Sequence, residues 1–333
     1  MAIFGGTMRP ERWSPPPASP RARETRSVPA LPLPRRIELP GVGPEDVVLT
    51  ADGRVIAGIA DGRILRIDPT DDSVTILADT GGRPLGLHVD PDGTVLICDA
   101  ERGVLQLSDG QLDVVVDSVD GAPLPFASNI IRDTDGSIYF SSSSRRYSLA
   151  DYMGDLLEHS GTGRLFRRDP SGTVETLLDG LYFANGVALA ADGSCVLVAE
   201  TGAYQVTRYW LTGPLAGSHD VLIDNLPGFP DNIALGSDGL IWITLPGARD
   251  PMLDRLFPLP GVLRKLVWAL PERMRIKAAP TVWVLAVDLN GKIVHDLQIE
   301  GTNFAMVTGV AERDGTLYLG SLSESAIGIT QIP

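Results

Sequence analysis

Asp-Gly pairs recur along the 333-residue chain, and six of them mark a repeated unit in which the pair stands between two short apolar stretches. Asp-Gly in this setting favours a tight β-hairpin turn, because glycine accepts the positive φ that such turns need. The chain also has 36 glycines and 26 prolines, and it lacks helix-sized segments rich in Ala, Glu, Lys and Leu. These features indicate an all-β protein, with turns at Asp52-Gly53, Asp92-Gly93, Asp135-Gly136, Asp192-Gly193, Asp238-Gly239 and Asp314-Gly315.

The spacing of the turns favours one all-β architecture. Consecutive turn aspartates are 40, 43, 57, 46 and 76 residues apart, and the shorter intervals match the length of a four-stranded propeller blade. We therefore predict a six-bladed β-propeller over residues 29–333. A β-sandwich fits less well, because its hairpins have no reason to repeat so evenly. The last unit has residues for about three strands, so residues 29–39 are expected to supply the fourth and close the ring.

The two long intervals indicate insertions at about residues 144–161 and 247–278. Both follow the second strand of their blade, which places them on the channel face where the inner strands begin. The first contains a segment with helical spacing, and the second is largely apolar, with seven Lys or Arg against three acids over residues 247–280. We predict short helical insertions that form a lid, which admits an apolar or anionic ester or touches a membrane surface. A packed surface excursion with a solvated basic face is the alternative.

Composition narrows the class of partner and the compartment. Residues 1–28 hold many Pro and Arg and few apolar residues, which predicts a flexible tail. A net charge of −14 argues against a nucleic-acid partner. The chain shows no apolar leader and no run of 18 apolar residues, so a cytoplasmic protein is expected, with peripheral membrane contact left open. Cys98 and Cys195 lie in apolar strand patterns and are predicted to be buried thiols.

Polar residues stand where the predicted inner strands begin. Glu45, Asn185 and Asp231 each lie seven residues before a turn aspartate, Asn129 lies six before its own, and Asn232 follows Asp231. Inner strands line a propeller channel, so these side chains should converge at one mouth. Their oxygens suit a hard cation, Ca²⁺ first and Mg²⁺ or Mn²⁺ next, and the lack of histidine argues against Zn²⁺. Caps on the turns between blades are the alternative role.

Four further residues are assigned to the substrate pocket or lid. His88 lies within the second inner strand, where a satisfied channel or core residue is the alternative. His159 closes the first insertion and could overhang the pocket. Tyr152 lies in the helical segment of the same insertion, and Trp268 lies in the apolar part of the second.

Several segments resemble the strictosidine-synthase-like family, over about residues 40–333. The resemblance is carried by Leu-Pro-Gly-Phe-Pro-Asp-Asn-Ile at 226–233 and by 82–86, 138–142, 183–187, 198–201 and 208–213. Within the family the chain looks most like the adipocyte plasma-membrane-associated proteins. It is more distantly similar to gluconolactonases, paraoxonases and diisopropyl-fluorophosphatase, which are six-bladed propellers with a channel calcium. The similarity implies Ca²⁺ ligands at Glu45, Asn129, Asn185 and Asp231, with Asn232 matching a further paraoxonase ligand.

Two departures shape the functional expectation. True strictosidine synthases have a catalytic Glu in the last blade where this chain has Thr308, which disfavours carbon–nitrogen bond formation. Paraoxonases have a His where this chain has Leu85. We therefore expect a metal-dependent hydrolase of lactones or carboxylic (aryl) esters, with Asp231 as metal ligand and base or nucleophile and Asn185 beside it. The alternative is a non-catalytic propeller with a structural metal that acts as a docking module.

Overall fold

The computed structural model describes residues 8–271, 281–300 and 303–333. Its strands form six four-stranded antiparallel sheets, which confirms the six-bladed propeller. The first strand of the sheet in each blade contacts the first strands of neighbouring blades, so these strands surround a central channel. Predicted insertion residues 272–278 and tail residues 1–7 lie outside the described ranges.

The first strand of the chain, β1 (Arg35–Glu38), belongs to the last blade. Blade one contains β2 (Val47–Leu49), β3 (Val55–Gly58), β4 (Arg63–Ile67) and β5 (Val74–Asp79). Blade two contains β6 (Pro84–Val89), β7 (Val95–Asp99), β8 (Gly103–Ser108) and β9 (Gln111–Val116), and is followed by the small hairpin β10 (Ser118–Val119) and β11 (Ala122–Pro123). Blade three contains β12 (Ala127–Arg132), β13 (Ile138–Ser142), β14 (Gly163–Arg168) and β15 (Val174–Leu181).

The remaining blades follow the same order. Blade four contains β16 (Ala184–Leu189), β17 (Cys195–Glu200), β18 (Gln205–Trp210) and β19 (His219–Ile223). Blade five contains β20 (Ile233–Leu235), β21 (Ile241–Thr244), β22 (Val282–Val287) and β23 (Ile293–Ile299). Blade six contains β24 (Val307–Arg313), β25 (Thr316–Ser321) and β26 (Ala326–Gln331), with β1 as its fourth strand.

The Asp-Gly turns join the first and second strands of each blade. In the first five, the glycine N–H donates to the carbonyl three residues earlier, as from Gly53 to Thr50 at 3.0 Å, and the glycine has positive φ. In the sixth, Asp314 and Gly315 both have positive φ, and Arg313 pairs directly with Thr316. This last turn is a two-residue hairpin loop and is therefore shorter than the others.

Ring closure by the N-terminal strand is confirmed. Strand β1 pairs antiparallel with β26, with Ile37 opposite Ile327. Both side chains are buried in one apolar cluster between blades six and one. Five further clusters fill the other interfaces between adjacent blades. The core is thus a closed ring of interblade contacts, and the free thiols of Cys98 and Cys195 are buried within it, as predicted.

Both insertions lie where the sequence places them, after β13 and after β21. The first forms helix α1 (Tyr152–Glu158), and the second forms α2 (Pro251–Leu256) and α3 (Val262–Ala269). Helix α2 begins with Pro251 after Asp250, whose carboxylate accepts from the N–H groups of Met252 and Leu253. Among the described residues, no helix is long and apolar enough to cross a bilayer.

The N-terminal segment differs from the expected flexible tail, because residues 8–28 pack against the propeller. Arg9 N donates to Glu158 Oε2 at 2.7 Å, and Trp13 N donates to Phe257 O at 3.4 Å. Further along, Arg21 makes an ion pair with Asp296 at 2.7 Å. We call residues 8–17 the N-terminal strap. Its composition suggested disorder, but a few apolar side chains and backbone donors find partners on the lid helices.

Candidate metal centre

Irregular pairing at the start of the inner strands creates the polar cluster in the channel. The register shifts near the beginning of β6, β12, β16 and β24. Such bulges leave backbone N–H groups outside the ladder. Leu87 N in β6 donates to Asp46 Oδ2 at 3.0 Å, and Val187 N in β16 donates to Asn129 Oδ1 at 2.9 Å. Asp46 and Asn129 therefore join neighbouring blades in the same way.

Glycines in alternate blades bring the inner strands close together. A Cβ on Gly86 would lie 2.4 Å from Asn129 Cα, one on Gly186 would lie 2.6 Å from Asn232 Cα, and one on Gly309 would lie 2.7 Å from Asp46 Cα. Each distance is too short for a real side chain. The three pairings are equivalent, so Asp46, Asn129 and Asn232 form one layer contributed by blades one, three and five.

This equivalence changes which residue of the third blade corresponds to Glu45 and Asp231. Ser128, seven residues before Asp135, matches Glu45 and Asp231, whereas Asn129 belongs to the layer of Asp46 and Asn232. Counting from the turns missed Asp46, although it adjoins Glu45 in sequence. The signal that would have found it is the pair of adjacent polar residues repeated in alternate blades.

The predicted ligands do meet in the channel. Asn232 Nδ2 donates to Glu45 Oε1 at 2.9 Å, and Asn129 Nδ2 donates to Asn232 Oδ1 at 3.0 Å. On the opposite side, Asn185 Nδ2 donates to Asp231 Oδ1 at 2.5 Å. The hydrogen bonds form two side-chain networks, and the effect of the Asp231 charge on the pKa of Glu45 shows that the two lie close together. We call both networks together the channel cluster: Glu45, Asp46, Ser128, Asn129, Asn185, Asp231 and Asn232.

Three carboxyl groups lie together in this cluster, and burial disfavours the ionisation of each of them. Burial, together with the nearby carboxylates of Asp231 and Asp46, raises the pKa of Glu45 well above its ordinary value. Burial also raises the pKa of Asp46 and of Asp231 to about 7. Asp231 is only half-buried by solvent exposure and is the most accessible of the three. The buried guanidinium of Arg83 opposes the shift at Glu45, but it is one positive charge against three carboxyl groups.

The donor set fits a hard cation. Glu45 Oε2 is buried without a hydrogen-bond partner, which is costly for a carboxylate oxygen. Among the described residues, no three His, Cys, Asp or Glu side chains are arranged to ligate an ion, so binding would depend on asparagine oxygens as well. Rotation of a terminal amide exchanges its nitrogen for its oxygen, so Asn185 and Asn232 carry both a donor for a carboxylate and a ligand for Ca²⁺.

An apolar cluster lies at the mouth of the channel, where the inner strands of three neighbouring blades begin. Leu85, Phe126 and Phe183 stand at the starts of blades two, three and four, and Leu156 of α1 packs onto them. The rings of Phe126 and Phe183 meet edge to face at 5.5 Å, and Tyr152 contacts Phe183 at 6.4 Å. Tyr152 therefore lies beside the apolar residues at the starts of blades three and four.

Of the other three residues assigned to the pocket or lid, two lie in the lid and one lies away from both. His88 sits further along β6 towards the turn, with its Nε2 3.1 Å from Asp90 Oδ1, so it is a structural residue that pairs with Asp90 at the opposite end of the strand. His159 is buried between the rings of Trp13 and Tyr182, each 4.2 Å away. Trp268 packs edge-on against Tyr147 in the lid. Side-chain packing thus places His159 and Trp268 inside the lid rather than over the channel.

Thr308 is part of the blade framework. Its hydroxyl donates to Glu45 O at 2.7 Å, and its own carbonyl accepts from Asn232 N and from the Thr244 hydroxyl. It is 2% exposed. At this position the chain therefore holds a threonine that joins blades five, six and one, where a strictosidine synthase has an acid.

Comparisons with known proteins agree with this architecture. The family model for strictosidine synthase matches residues 129–214, and that for the strictosidine synthase-like N-terminal region matches residues 30–67. The chain is 33% identical to adipocyte plasma membrane-associated protein of Salmo salar over 310 residues, covering 84% of this chain and 73% of that protein. It is 32% identical to strictosidine synthase-like protein 10 of Arabidopsis thaliana, covering 94% and 91% respectively.

Solved structures with the same fold have more distant sequences. A gluconolactonase from Xanthomonas campestris has a TM-score of 0.65 at 16% identity, with 98% of each chain covered. The calcium-binding protein regucalcin from Agrobacterium tumefaciens has a TM-score of 0.63 at 14% identity, with 90% of this chain and 94% of that chain covered. At these identities the likeness shows the propeller fold and nothing finer.

Proposed function

The chain belongs to the strictosidine synthase-like family, and we propose that within it this protein is a metal-dependent hydrolase of lactones or carboxylic esters. The observation that carries the proposal is the gathering of three carboxyl groups whose ionisation burial disfavours and a bound cation would favour, above all Glu45 with its unpartnered Oε2. Two of the structural relatives are described as a gluconolactonase and a calcium-binding protein, which supports both the reaction class and the choice of Ca²⁺.

The channel residues have separable roles in this proposal. Glu45 and Asp231 would hold the cation with the oxygens of Asn129, Asn185 and Asn232. When bound, the cation would polarise the substrate carbonyl and favour negative charge on its oxygen. Asp231 is the candidate base or nucleophile because it is the most accessible carboxylate of the cluster, and Asn185 holds it at 2.5 Å.

The apolar residues of the mouth define the class of substrate. Leu85, Phe126 and Phe183 stand where the inner strands of blades two, three and four begin, with Tyr152 and Leu156 of α1 beside them. An ester or lactone whose carbonyl reaches Asp231 would place its remaining carbon atoms among these side chains. We therefore propose a substrate with an aliphatic or aromatic portion, and a role for α1 in excluding bulk water from the reacting carbonyl.

The test is a metal titration of chelator-treated protein, followed by melting temperature and by hydrolysis of a panel of aryl esters and lactones. We expect saturable stabilisation by Ca²⁺ and hydrolysis that rises in parallel. Glu45→Gln and Asp231→Asn should lower hydrolysis at least about 100-fold, since even supporting residues of metal sites matter by 10–100-fold. Glu101→Gln removes an exposed carboxylate and is the matched control.

A second candidate is a non-catalytic propeller with a structural metal. It is favoured by the way Asp46 and Asn129 accept backbone N–H groups of the next blade, which is a structural role. Stabilisation by Ca²⁺ with no turnover of any ester or lactone would support this candidate. If Ca²⁺ changes neither melting temperature nor hydrolysis, the cluster is a hydrogen-bonded connection between blades and the proposed function is wrong.

A further inference from the structure

The outer surface of α2 and α3 is apolar. Sixteen large apolar side chains of the described residues are exposed, and six of them lie between positions 252 and 270. No other part of the described chain exposes them at this density. We call the surface formed by these six the apolar lid face: Met252, Leu259, Val262, Leu263, Leu266 and Leu270.

Helix α3 exposes apolar side chains and buries a charged one, which is the opposite of what a helix on a water-exposed surface does. Val262 is 58% exposed and Leu266 is 61% exposed, whereas Arg264 is fully buried. Arg264 Nη1 donates to Leu157 O at 2.9 Å, and its Nη2 donates to Glu11 O. An amphipathic helix normally buries its leucines and exposes its arginine. The outward stripe at 259, 262, 263 and 266 therefore suits a medium other than water.

The exposed charges that α2 and α3 themselves contribute are positive. Arg255 and Lys265 are exposed. Asp254 is paired with Arg249 at 2.9 Å, and the Asp250 carboxylate accepts the N–H groups that begin α2. A basic rim around an apolar face is unusual in a chain of net charge −14, and it matches the charge of an anionic lipid surface.

We propose that the apolar lid face docks on a lipid bilayer that contains anionic headgroups. The leucine stripe would enter the boundary between headgroups and acyl chains, and Lys265 and Arg255 would remain at the headgroups. A symmetric contact with a second copy of this chain is less favourable, because it brings Lys265 and Arg255 near their own counterparts.

The docked orientation would place the bilayer beside the channel mouth. Helix α3 contacts α1 through Trp268, which lies near Gly154 and Tyr147. Helix α1 in turn packs on the apolar cluster of the mouth through Leu156. The docking proposal stands on the lid surface alone and holds whether or not the channel cluster is catalytic.

Co-sedimentation with vesicles tests the proposal on the full chain. Vesicles of phosphatidylcholine alone are compared with vesicles that contain phosphatidylcholine and phosphatidylserine. We expect binding to the mixed vesicles that weakens with added salt. The double variant Val262→Glu/Leu266→Glu should lower the partition coefficient at least tenfold. Lys265→Glu should lower it roughly tenfold on the anionic vesicles and little on the neutral ones.

The matched control is Ile76→Glu/Val221→Glu, which places two acids on exposed apolar residues of β5 and β19. All these positions are exposed, so the melting temperature should stay within a few degrees and the variants remain interpretable. Retained binding by the control together with loss by the lid variant supports the proposal. The proposal is overturned if the unmodified protein does not bind the mixed vesicles, or if both double variants lose binding equally. It is also overturned if Leu266→Glu splits a dimer detected by light scattering without changing vesicle binding.

Discussion

At the scale of single residues, close approach between inner strands determines where the channel cluster lies. Gly186 has backbone atoms of the next blade where a Cβ would be, with Ile233 N only 2.3 Å away. Gly86 and Gly309 have the same relation to the strands that carry Asn129 and Asp46. The three glycines therefore set the distance between the polar residues of alternate blades.

Gly186→Ala should consequently disturb both stability and the cluster. The added methyl group has only backbone to displace, so we expect a loss of about 3 kcal/mol, at the upper end of typical overpacking costs. Because Asn232 is the residue displaced, stabilisation by Ca²⁺ should also be weakened. Urea unfolding with and without Ca²⁺ measures both effects.

Gly53→Ala separates these effects from simple backbone strain. Gly53 has a φ of 84°, and a methyl group added to its Cα would meet no other atom within 4 Å. This variant should cost about 1 kcal/mol and leave the Ca²⁺ response unchanged. An equal cost at both glycines would contradict the close-approach argument.

Sequence reasoning reached part of the cluster and missed the rest for a physical reason. Glu45, Asn185 and Asp231 were identifiable because the distance from strand start to turn is constant in their blades. Asn129 was placed in the wrong layer because the bulge in β12 changes which residue faces the channel without changing residue types. Asp46 was missed because counting back from each turn selects one residue per blade, and in blade one it selects Glu45. Only the spatial pairing with the glycines reveals the two layers.

At the scale of elements, His159 connects the N-terminal strap to the lid. Its ring stacks between Trp13 of the strap and Tyr182, and neither ring nitrogen has a hydrogen-bond partner. Burial, with a smaller contribution from the positive charge of Arg264, lowers the pKa of His159 to about 3. The strap is therefore packed against a histidine that stays neutral in the folded protein.

His159→Phe should remove one source of acid sensitivity. Below the unfolded pKa of about 6.5 the unfolded chain takes up a proton at His159 while the folded protein does not, so stability falls progressively as pH decreases from about 6.5 to about 3. Relative to the unmodified protein, the variant should gain about 2 kcal/mol between pH 8 and pH 5. Urea unfolding at both pH values measures this difference, and subtraction removes contributions shared with the carboxylates.

His219→Phe removes an exposed histidine ring and controls for the loss of one histidine. The absolute stability of His159→Phe also includes any cost of phenylalanine in the left-handed conformation, with φ of 52° at this residue. That cost is the same at every pH. An unchanged pH dependence in His159→Phe would show that the ring is not buried between strap and lid in solution.

The elements themselves were largely predictable, and the strap was not. The positions of the insertions followed from the spacing of the turns. Where two consecutive turns are further apart than one blade requires, the additional residues must lie outside the sheet. The fate of residues 8–28 could not be read from composition. A Pro-rich segment becomes ordered only where another surface of the protein packs against it. Here that surface is formed by helices that lie far away in the sequence.

At the scale of the whole molecule, one short strand determines whether the propeller is a ring or an open stack of sheets. Strand β1 covers the outer edge of β26 along four residue pairs. Ile37 is 1% exposed and lies between blades six and one. Contacts at this one interface therefore connect residues near the two ends of the chain.

Ile37→Ala should lower the free energy of unfolding of the entire propeller. Truncation of a buried isoleucine typically costs about 2–5 kcal/mol, and here the cavity lies at the closing interface. Leu33→Ala, at a residue 65% exposed just before the strand, should change stability by less than about 0.5 kcal/mol. Urea midpoints with unchanged slopes would measure this. Equal, small effects would mean that the closure contributes little.

The overall architecture was accessible from sequence because it is repeated. Six similar turns at blade-length intervals leave few alternatives, and the shortage of strands at one end predicts where the missing strand comes from. The position of the lid on the channel face of the propeller followed from the direction of the strands that precede the insertions. Helix α3 shows the limit of this approach. Its leucines face outward and its Arg264 is buried because of tertiary contacts, which the periodicity of the sequence does not predict.

The closure also sets an order of events during synthesis. Strand β1 ends at residue 38 and its partner begins at residue 326, so at roughly 5–20 residues per second the ribosome takes ~15–60 s to deliver the second after the first. During that time β1 has no partner strand, and the nascent blades form an arc with two open edges. The charges of Arg35, Arg36 and Glu38 suit a strand that must wait in this state, because charged edges resist pairing with the wrong chain.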